Sequence, residues 1–373
     1  MSKPVICVVA EYAYPYLKGG GAGGAELQMI LLARELIQRG YSVHLITFAT
    51  SKTNYEEIEG LKVHVLYDNK GSGFTHLFPH NFLRFFSLLG KINADIHIQS
   101  AGTPLTGLIS LFSQLKGKKF IFVSSSDANL SSAITIDHAR DLVKIPYTYG
   151  IKNADCIVAQ THHQKDLIKN PSTKSVHIKK SVLIKTIIPL SNCGCVDELK
   201  TNILWVGRIF PGKNPERYLE MARRLPEYQF KMIGSPVETE INYFHKIKKD
   251  SERIKNLEFL GFIPHHEIAK YYSEAAIFVS TSSSEGFPNT FLEAWSCRTP
   301  VVSLGFDPDD IIEKEILGFS FDSFNILVEN IKTLMENDNL RQQMGENGLN
   351  YIKKYHTPSK IMDDYEGLFE QVL

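Results

Sequence analysis

An excess of charge is the first thing that the sequence lacks. Across its 373 residues, 41 Lys and Arg residues balance 41 Asp and Glu residues, so the formal net charge is zero. Proteins that gather nucleic acid through their overall field carry a strong basic excess. We therefore expect no nucleic-acid partner, and the composition leaves open only a local basic patch.

Long apolar runs are missing as well. No stretch approaches the roughly 20 apolar residues that a membrane-spanning helix needs. The opening residues, MSKPVICVVAEY, do not combine a basic segment, a long apolar run and a small-residue cleavage site, which are the parts of a secretory signal. These absences predict a cytoplasmic protein.

Cysteine is scarce, with five residues in the chain. Cys7, Cys156 and Cys297 lie in apolar runs, which predicts reduced core thiols. The pair Cys193-Gly-Cys195 is too short for a zinc site, and no matching Cys or His pair follows it. We expect no metal there, and a reactive pair is left open. This usage of cysteine also favours the cytoplasm.

What the sequence does contain is a regular alternation of strand-like and helix-like segments. The strand-like runs of the first half are 4–10, 41–48, 94–99, 118–125 and 155–160, and those of the second half are 202–209, 228–234, 257–262, 275–282 and 299–305. Helical stretches lie between them, and the last three are 323–337, 338–355 and 358–372. Apolar runs separated by helices are typical of parallel sheets covered on both faces.

This alternation breaks at residues 186–200, TIIPLSNCGCVDELK, which show little periodicity. We predict an α/β protein of two doubly wound, Rossmann-like domains that face each other across a cleft. The first is 1–188 and the second is 201–357, with 189–200 as a linker. Ligands bind beyond the carboxyl ends of the strands in such sheets, so the cleft is the predicted site. One large α/β domain is the less favoured alternative.

Two glutamates follow a strand of the second half, in the stretch SSSEGFPNTFLEAW. Glu285 lies in a tight loop, and a helix begins near Asn289, a candidate N-cap. The backbone N–H groups of 286–290 and the helix dipole favour an anion or a network of sugar hydroxyls. Glu293, about one turn into the helix, could accept hydrogen bonds from paired hydroxyls such as those of ribose. A loop charge and a helix-surface carboxylate are the alternatives.

Two cations follow another strand of the second half, in GRIFPGKN directly after Val206. Arg208 and Lys213 suit a diphosphate, because Arg binds it through a fork and Lys as a point charge. Asn214-Pro215 could start the next helix. A solvated loop with two surface cations is the alternative.

A glycine-rich stretch, GGGAGGAE at 19–26, follows the first strand and opens a helix. Glycine lets the backbone approach a ligand closely. The G-x-G-x-x-G spacing occurs within it, but no acidic residue ends the second strand at the dinucleotide spacing, which argues against a nicotinamide site. A flexible connection is the alternative.

Further candidates are Asp127, after the strand 118–125, and the pair His162 and His163, after 155–160. Their alternatives are helix capping, turn or surface positions. Asp307-Pro308-Asp309 could suggest a pair of metal–nucleotide carboxylates, but an acidic first turn of a helix at Asp310–Leu317 is favoured.

Several of these stretches resemble the donor half of glycosyltransferase family 4, which comprises retaining enzymes of the GT-B fold. They are VGRIFPGKNP, LEFLGFIPHHEIAKYY and STSSSEGFPNTFLEAWSCRTPVV, including a pair of glutamates in an E-x7-E element. GGGAGGAELQMILLARELIQRGYSVHLIT resembles the family's first glycine loop and helix. The likeness is strong over roughly 200–305, recognisable over 1–50 and weak between.

The resemblance implies a role for each matching position. Arg208 and Lys213 would hold the donor diphosphate and stabilise it as a leaving group, Glu293 would bind the ribose, and Glu285 would contact the donor sugar. The remaining donor contacts would be Gly207, Gly286, Phe287, Pro288, Asn289 and Thr290, with Gly20, Gly21, Gly23 and Gly24 of the first domain. The last helix, within 358–373, would cross back to the first domain. No metal or cofactor is implied, since fixed cations and amide donors stabilise the leaving group.

One departure from the family concerns the first domain. Many relatives carry a histidine after the strand that corresponds to KKFIFV, where this chain has Ser-Ser-Ser-Asp127. Either Asp127 takes a related position near the donor sugar as a catalytic group, or the contact is absent.

The acceptor is not legible in the sequence: a glycan, a lipid-linked or a small-molecule acceptor are all compatible. The apolar residues 74–91 and the basic stretch 174–185 could rest on a membrane surface, although an ordinary packed helix and a basic loop are favoured. The leading hypothesis is a retaining hexosyltransferase of polysaccharide or glycoconjugate biosynthesis. A sugar-nucleotide epimerase of the same fold and a non-catalytic nucleotide-sugar-binding module are the alternatives.

Overall fold

The strands and helices of the sequence separate into two units in the computed structural model. It describes residues 3–21, 23–51, 53–67, 79–131, 141–169, 179–190, 200–282 and 285–373. Unit 1 comprises residues 1–187 and 358–373, and unit 2 comprises residues 188–357. Each unit is described by itself below.

Unit 1 is built on one sheet. Its strands are β1 (Ile6–Val9), β2 (Val43–Ala49), β3 (Tyr55–Ile58), β4 (Leu61–Tyr67), β5 (Ile96–Ser100), β6 (Lys119–Val123), β7 (Cys156–Ala159) and β8 (Ser181–Leu183). Its helices before unit 2 begins are α1 (Tyr14–Leu17), α2 (Gly24–Gln38), α3 (Pro79–Ile92), α4 (Leu105–Leu115), α5 (Asp127–Ser131), α6 (Asp141–Asn153) and α7 (His162–Lys169).

The strand order of this sheet is β3-β4-β2-β1-β5-β6-β7-β8. Neighbours are parallel except for the antiparallel pair β3 and β4. The order reverses between β1 and β5, because the chain moves to β2 on one side of β1 and to β5 on the other. Ile6 and Val8 pack in one buried cluster with α2, whereas Cys7 and Val9 pack in a second cluster with α4. Both faces of the sheet are therefore covered, as predicted.

Unit 2 contains a fully parallel sheet. Its strands are β9 (Asn202–Ile209), β10 (Gln229–Pro236), β11 (Leu257–Gly261), β12 (Ala275–Ser280), β13 (Val301–Leu304) and β14 (Gly318–Phe321). Its helices are α8 (Pro215–Arg224), α9 (Ile241–Ser251), α10 (His265–Glu274), α11 (Asn289–Ser296), α12 (Ile311–Lys314), α13 (Phe324–Glu336) and α14 (Asp338–Tyr355).

The strand order of unit 2 is β11-β10-β9-β12-β13-β14, and it reverses between β9 and β12. Alternate residues of the strands again face opposite sides: Ile203 and Trp205 lie in one buried cluster, and Leu204 in the other. The second cluster includes Phe291 and Trp295 from α11, which are both fully buried. This packing fixes α11 against the sheet directly beside the point of reversal.

The last helix, α15 (Pro358–Val372), belongs to unit 1. Its buried residues Ile361 and Leu368 join the cluster formed by α2. At the end of α2, the Arg39 guanidinium lies 2.6 Å from the carboxylate of Glu366 and 2.7 Å from that of Asp363. The apolar contacts carry most of this attachment, because exposed ion pairs contribute little.

The cysteine prediction is confirmed for two residues and wrong for a third. Cys7 and Cys156 are buried free thiols, and burial raises the pKa of Cys156 to about 11. Cys297 is disulfide-bonded instead. The apolar run around Cys297 gave no sign of this bond.

The acidic stretch at 307–310 is structural. The Asp307 carboxylate accepts hydrogen bonds from the backbone N–H groups of Ile312 at 3.0 Å and Glu313 at 3.3 Å. It therefore caps the first turn of α12, which agrees with the favoured alternative. The helix itself spans Ile311–Lys314 and is shorter than the predicted Asp310–Leu317.

Helix α3 includes the described part of the apolar segment 74–91. Phe85 and Leu89 are buried in the unit 1 core, and Leu83 is 64% exposed. The described part therefore packs as an ordinary helix, and residues 74–78 and 174–178 lie outside the described residues. Among the helices that the structure describes, none has the length and hydropathy to cross a membrane.

Candidate functional site

The candidate site of unit 2 lies where its strand order reverses. Strands β9 and β12 are adjacent and parallel, and the chain leaves their carboxyl ends in opposite directions. Such a reversal leaves a crevice beyond the strand ends, and ligands of open α/β sheets bind there. The Arg208–Lys213 stretch follows β9, and the loop with Glu285 follows β12. Both predicted motifs therefore meet at this point.

The clearest contact across the reversal is an ion pair between the Lys213 ammonium and the Glu285 carboxylate. The two residues are 72 positions apart in sequence. Their side chains are 25% and 18% exposed, so the pair is partly shielded from water. A cation and an anion held this way can each exchange its partner for a ligand group of the appropriate charge or polarity.

Buried hydrogen bonds hold the loop that carries Lys213. The Thr281 hydroxyl donates to the backbone carbonyl of Lys213 at 2.7 Å and accepts from the Trp205 indole N–H at 3.1 Å. Thr281 is 1% exposed. A short 3-10 turn spans Pro211–Lys213, and Asn214 then takes a left-handed conformation with φ of 45° before Pro215 opens α8. The start of that helix at Pro215 is as predicted.

Arg208 is the penultimate residue of β9 and is exposed. It forms no salt bridge with any residue that the structure describes. Gly207 beside it is close-packed, since a Cβ there would lie 3.2 Å from the Trp205 ring. An exposed guanidinium at this strand end suits an anionic ligand.

The turn after Glu285 is well packed. Gly286, Phe287 and Pro288 are buried, and the Phe287 ring lies 5.1 Å from that of His356. Helix α11 begins at Asn289 with Pro288 in the capping position. The predicted N-cap at Asn289 is therefore wrong by one residue, because Pro288 already occupies that position. Asn289 and Thr290 form the first turn of α11, whose amino end faces the loop.

Glu293 lies one turn into α11, as predicted, but it is buried and does not lie on the helix surface. It is 8% exposed. One carboxylate oxygen, Oε1, lies 2.9 Å from His265 Nε2, and the other, Oε2, accepts a hydrogen bond of 2.9 Å from the Tyr272 hydroxyl. Burial and the neighbouring carboxylate hold the pKa of Tyr272 well above its usual range, so the phenol stays protonated and donates.

Neither partner of Glu293 was predicted from the sequence. His265 and Tyr272 lie on α10, two turns apart, and their spacing is an ordinary helical one. Only the packing of α10 against α11 brings them to the carboxylate. The structure explains the tyrosine contact, because a fully buried phenol needs a hydrogen-bond partner, but its burial could not be known from the sequence.

In unit 1 the glycine-rich stretch connects α1 to α2. Gly19 has a φ of 84°, and a Cβ on Gly20 would lie 2.9 Å from the carbonyl oxygen of Pro15. These two positions require glycine. Gly23 precedes the helix, and its carbonyl accepts from the N–H of Leu27 at 3.0 Å. Gly21 is exposed and Gly24 is the first residue of α2, while Ala22 lies outside the described residues.

Asp127 begins α5, and its carboxylate lies 3.6 Å from Nε2 of His163 near the start of α7. These candidates follow the adjacent strands β6 and β7, so the sheet brings them together. His162 is the first residue of α7. The side chain of His163 is 61% exposed and that of Asp127 is 25% exposed.

A further polar cluster lies at the β1–β5 reversal of unit 1, and the sequence analysis did not find it. The Thr103 hydroxyl donates to the Glu11 carboxylate and accepts from the Gln99 amide at 3.1 Å. Glu11 is 5% exposed and Gln99 is fully buried. The signal was available, since Glu11 directly follows the predicted strand 4–10. Across the described residues, no group of three or more His, Cys, Asp or Glu side chains is arranged to hold a metal ion.

Two sequence profiles match the chain. One, described as Glycosyltransferase Family 4, matches residues 22–178, and the other, Glycosyl transferases group 1, matches residues 196–351. The chain belongs to glycosyltransferase family 4. Both halves of the protein are covered, and Lys213, Glu285 and Glu293 all lie in the second match.

Similar curated proteins span nearly the whole chain. An uncharacterized glycosyltransferase of Haemophilus influenzae is 25% identical over 366 residues, which cover 94% of this chain and 97% of that protein. An N-acetylgalactosamine-N,N'-diacetylbacillosaminyl-diphospho-undecaprenol 4-alpha-N-acetylgalactosaminyltransferase of Campylobacter jejuni is 26% identical, covering 92% and 93%.

Solved structures agree on the fold. Sucrose-phosphate synthase from Thermosynechococcus elongatus superposes with a TM-score of 0.79 at 17% identity, covering 99% of both chains. HepE of Anabaena, in complex with UDP and glucose, gives a TM-score of 0.76 at 14% identity, covering 99% of this chain and all of that one. The family-4 protein therefore has the GT-B fold of two Rossmann-like α/β domains, as predicted.

Proposed function

We propose that this protein is a retaining hexosyltransferase that moves a hexosyl unit from a nucleoside-diphosphate sugar to an acceptor hydroxyl. The observation that supports this most is the Lys213–Glu285 pair at the strand reversal of unit 2. A cation for the diphosphate and a carboxylate for the sugar lie in contact there. One donor molecule that displaces this contact would meet both groups.

Each donor contact has a proposed role. Arg208 and Lys213 bind the diphosphate and stabilise the charge that builds on it as the sugar departs. Glu285 accepts hydrogen bonds from hydroxyls of the transferred sugar, and Glu293 accepts those of the ribose. Donor binding replaces the Lys213–Glu285 contact, so each charge keeps a polar partner in the complex. The backbone of Gly207 and of residues 286–290, and the loop Gly20–Gly24 of unit 1, remain predicted donor contacts.

The proposed reaction needs no protein nucleophile. The bond between the anomeric carbon and the diphosphate oxygen breaks, and a bond to the acceptor oxygen forms on the same face. The acceptor proton passes to the leaving diphosphate. The cations supply the electrostatic stabilisation, and no metal or cofactor takes part. Asp127, paired with His163, is proposed as a catalytic group near the sugar.

The chemical classes proposed for the donor and the acceptor are inferred from similar proteins. HepE was crystallised with UDP and glucose and with UDP-glucose, which makes UDP-sugars the first donors to test. The Campylobacter relative is named for a diphospho-undecaprenol acceptor, and a Corynebacterium diphtheriae relative, 24% identical, is named for D-inositol 3-phosphate. The acceptor of this protein is therefore proposed as a glycan, lipid-linked or small-molecule hydroxyl, in polysaccharide or glycoconjugate biosynthesis.

Donor binding is tested first with a panel of UDP-, GDP- and ADP-sugars. A donor that binds the folded state raises the melting temperature by mass action. Lys213→Met should weaken binding of the stabilising donor by roughly 10- to 100-fold, the effect of losing a charge-assisted hydrogen bond. Glu285→Gln should weaken the binding of the nucleotide sugar more than the binding of the free nucleotide, because Glu285 is proposed to contact the sugar.

A matched control exists in the same unit. Lys231 and Glu274 form an ion pair of 3.2 Å with side chains 25% and 27% exposed, at the opposite edge of the sheet from the candidate site. Lys231→Met should leave donor binding unchanged. If Lys213→Met behaves like Lys231→Met, the assigned site is wrong.

Turnover distinguishes the proposal from its alternatives. Incubation of the donor with lipid-linked and soluble acceptors, followed by NMR of the product, should show transfer with the anomeric configuration retained. Conversion of the donor sugar without any acceptor would favour an epimerase. Tight donor binding with no chemistry across the acceptor panel would favour a binding module.

Attachment to the inner face of the plasma membrane is a separate proposal. It rests on the exposed Leu83 of α3 and on the lipid named in the Campylobacter relative. Flotation with anionic liposomes tests it, and a protein that stays in the bottom fraction at low salt rules it out.

A further inference from the structure

Two side chains of α10 hold the carboxylate of Glu293 from opposite ends. His265 contacts Oε1 and Tyr272 donates to Oε2, each at 2.9 Å. The two residues lie seven positions apart, two helical turns, so both project from the same face of α10. A carboxylate only accepts hydrogen bonds, so His265 donates its Nε2–H to Oε1.

This arrangement restricts Glu293 more than burial alone requires. A buried carboxylate needs hydrogen bonds, but one charged donor would satisfy much of its demand. Here each oxygen has its own donor, so the carboxylate plane cannot rotate without breaking one of the two contacts. The Tyr272 ring is itself fixed, being fully buried with its centroid 5.5 Å from that of Phe278.

The carboxylate still has capacity for a ligand. Two oxygens offer about four lone-pair directions, and α10 takes one on each oxygen. One acceptor direction therefore remains on each oxygen, and the side chain keeps 11% of its surface exposed. Two adjacent acceptors in a fixed plane suit a pair of neighbouring hydroxyl groups.

We propose that Tyr272 and His265 are positioning residues that fix the plane of the Glu293 carboxylate so that it accepts both hydroxyls of the nucleotide ribose. This inference rests on the proposed function, in which Glu293 contacts the ribose. It adds that recognition of the ribose diol depends on α10, and not on α11 alone. Neither residue touches the ligand in this scheme.

The test compares a ribonucleotide with its dideoxy counterpart. Isothermal titration of UDP, GDP and ADP identifies the nucleotide that binds the wild type, and its 2′,3′-dideoxy form is then titrated. The wild type should bind the ribonucleotide at least tenfold more tightly. Tyr272→Phe keeps the ring packing and removes only the hydroxyl. It should therefore weaken the binding of the ribonucleotide by roughly tenfold and leave the binding of the dideoxy form unchanged.

A second variant and a matched control separate positioning from stability. His265→Leu should reduce the preference for ribose as Tyr272→Phe does, and His265→Gln, which keeps a donor, should restore part of it. Tyr218 is also fully buried in unit 2, and its hydroxyl lies 2.8 and 2.9 Å from two backbone carbonyls. Tyr218→Phe should lower the melting temperature and leave the ribose preference unchanged.

The outcomes are distinguishable. If Tyr272→Phe lowers stability but keeps the wild-type ribose preference, the positioning role is refuted and the proposed function stands. If the wild type binds both nucleotides equally, Glu293 does not read the diol and the inference fails, although diphosphate binding survives. If no nucleoside diphosphate binds at all, both the proposed function and the positioning role are refuted.

Discussion

Acidification should destabilise unit 1, and a fully buried histidine on β5 should account for a defined share of the loss, beside His44 and His64, whose pKa values burial also lowers. His97 is fully buried, with its Nδ1 atom 3.1 Å from the Ser113 hydroxyl and its ring against Phe112. Burial lowers its pKa from 6.5 to about 4. Below pH 6.5 the imidazole of His97 binds a proton in the unfolded chain but stays neutral in the folded unit. Its contribution to the free energy of unfolding is therefore fully present above pH 6.5 and is lost as the pH falls toward 4. Linkage gives a loss of about 2 kcal/mol between pH 7 and pH 5.

The measurement must report on unit 1. Both tryptophans, Trp205 and Trp295, lie in unit 2, so tryptophan fluorescence does not follow this unfolding. The buried thiols Cys7 and Cys156 lie in unit 1, so their exposure does follow this unfolding. Their reaction with a dithiodipyridine reagent along a urea series, with the labelled peptides identified by mass spectrometry, gives the free energy of unfolding at each pH.

Two variants decide the origin of the effect. His97→Leu should remove about 2 kcal/mol of the difference between pH 7 and pH 5, since no imidazole is left to titrate. Ser113→Ala disturbs the same contact but keeps the imidazole, so it should retain the wild-type difference. If His97→Leu shows the same loss of stability as the wild type, another group is responsible and the reasoning is refuted.

Three other substitutions should change stability in known directions. Gly318→Ala would place a Cβ 1.8 Å from the Val301 carbonyl oxygen, and the tryptophan signal of unit 2 should report a loss of about 3 kcal/mol or more. Gly367→Ala, where the added Cβ meets nothing within 4 Å, should instead stabilise α15 by about 0.5–1 kcal/mol by thiol labelling. Asn256→Ala removes a buried amide that donates to three backbone carbonyls; a loss of about 2 kcal/mol is expected in urea unfolding, and an unchanged midpoint would contradict it.

Most of the fold could be predicted because both sheets consist of apolar, β-branched runs separated by helices. Of the strands that the structure describes, four were not predicted. One of them, β4 with the sequence LKVHVLY, alternates apolar and polar residues and was missed although it carries a strand signature. The other three lack that signature. β3, with the sequence YEEI, has an exposed and partly charged pattern at a sheet edge. β8 has three residues, and β14, GFSF, opens with a glycine. Such edge strands exist because a neighbour offers hydrogen bonds, which a short window of sequence does not reveal.

The site was predictable in position but not in its contacts. The prediction that Arg208, Lys213 and Glu285 lie at strand ends is correct. In a parallel sheet, the loops that follow the strands all begin at the edge formed by the carboxyl ends. The pairing of Lys213 with Glu285 could not be read, since it depends on β9 and β12 being neighbours. The same holds for His265 and Tyr272, whose relation to Glu293 arises from helix packing. Nothing in the local sequence of α10 distinguishes these two residues from their neighbours.

The return of α15 to unit 1 has a consequence for the order of biosynthesis. Nascent domains usually fold from the amino end as they emerge from the ribosome. Here the first sheet is synthesised early, but the face formed by Ile361 and Leu368 becomes available only after all of unit 2 has been translated. The second unit is contiguous and can finish first. Residues 1–187 therefore keep an uncovered apolar face until α15 has been synthesised. We expect chaperones and proteases to act on this part of the chain during synthesis.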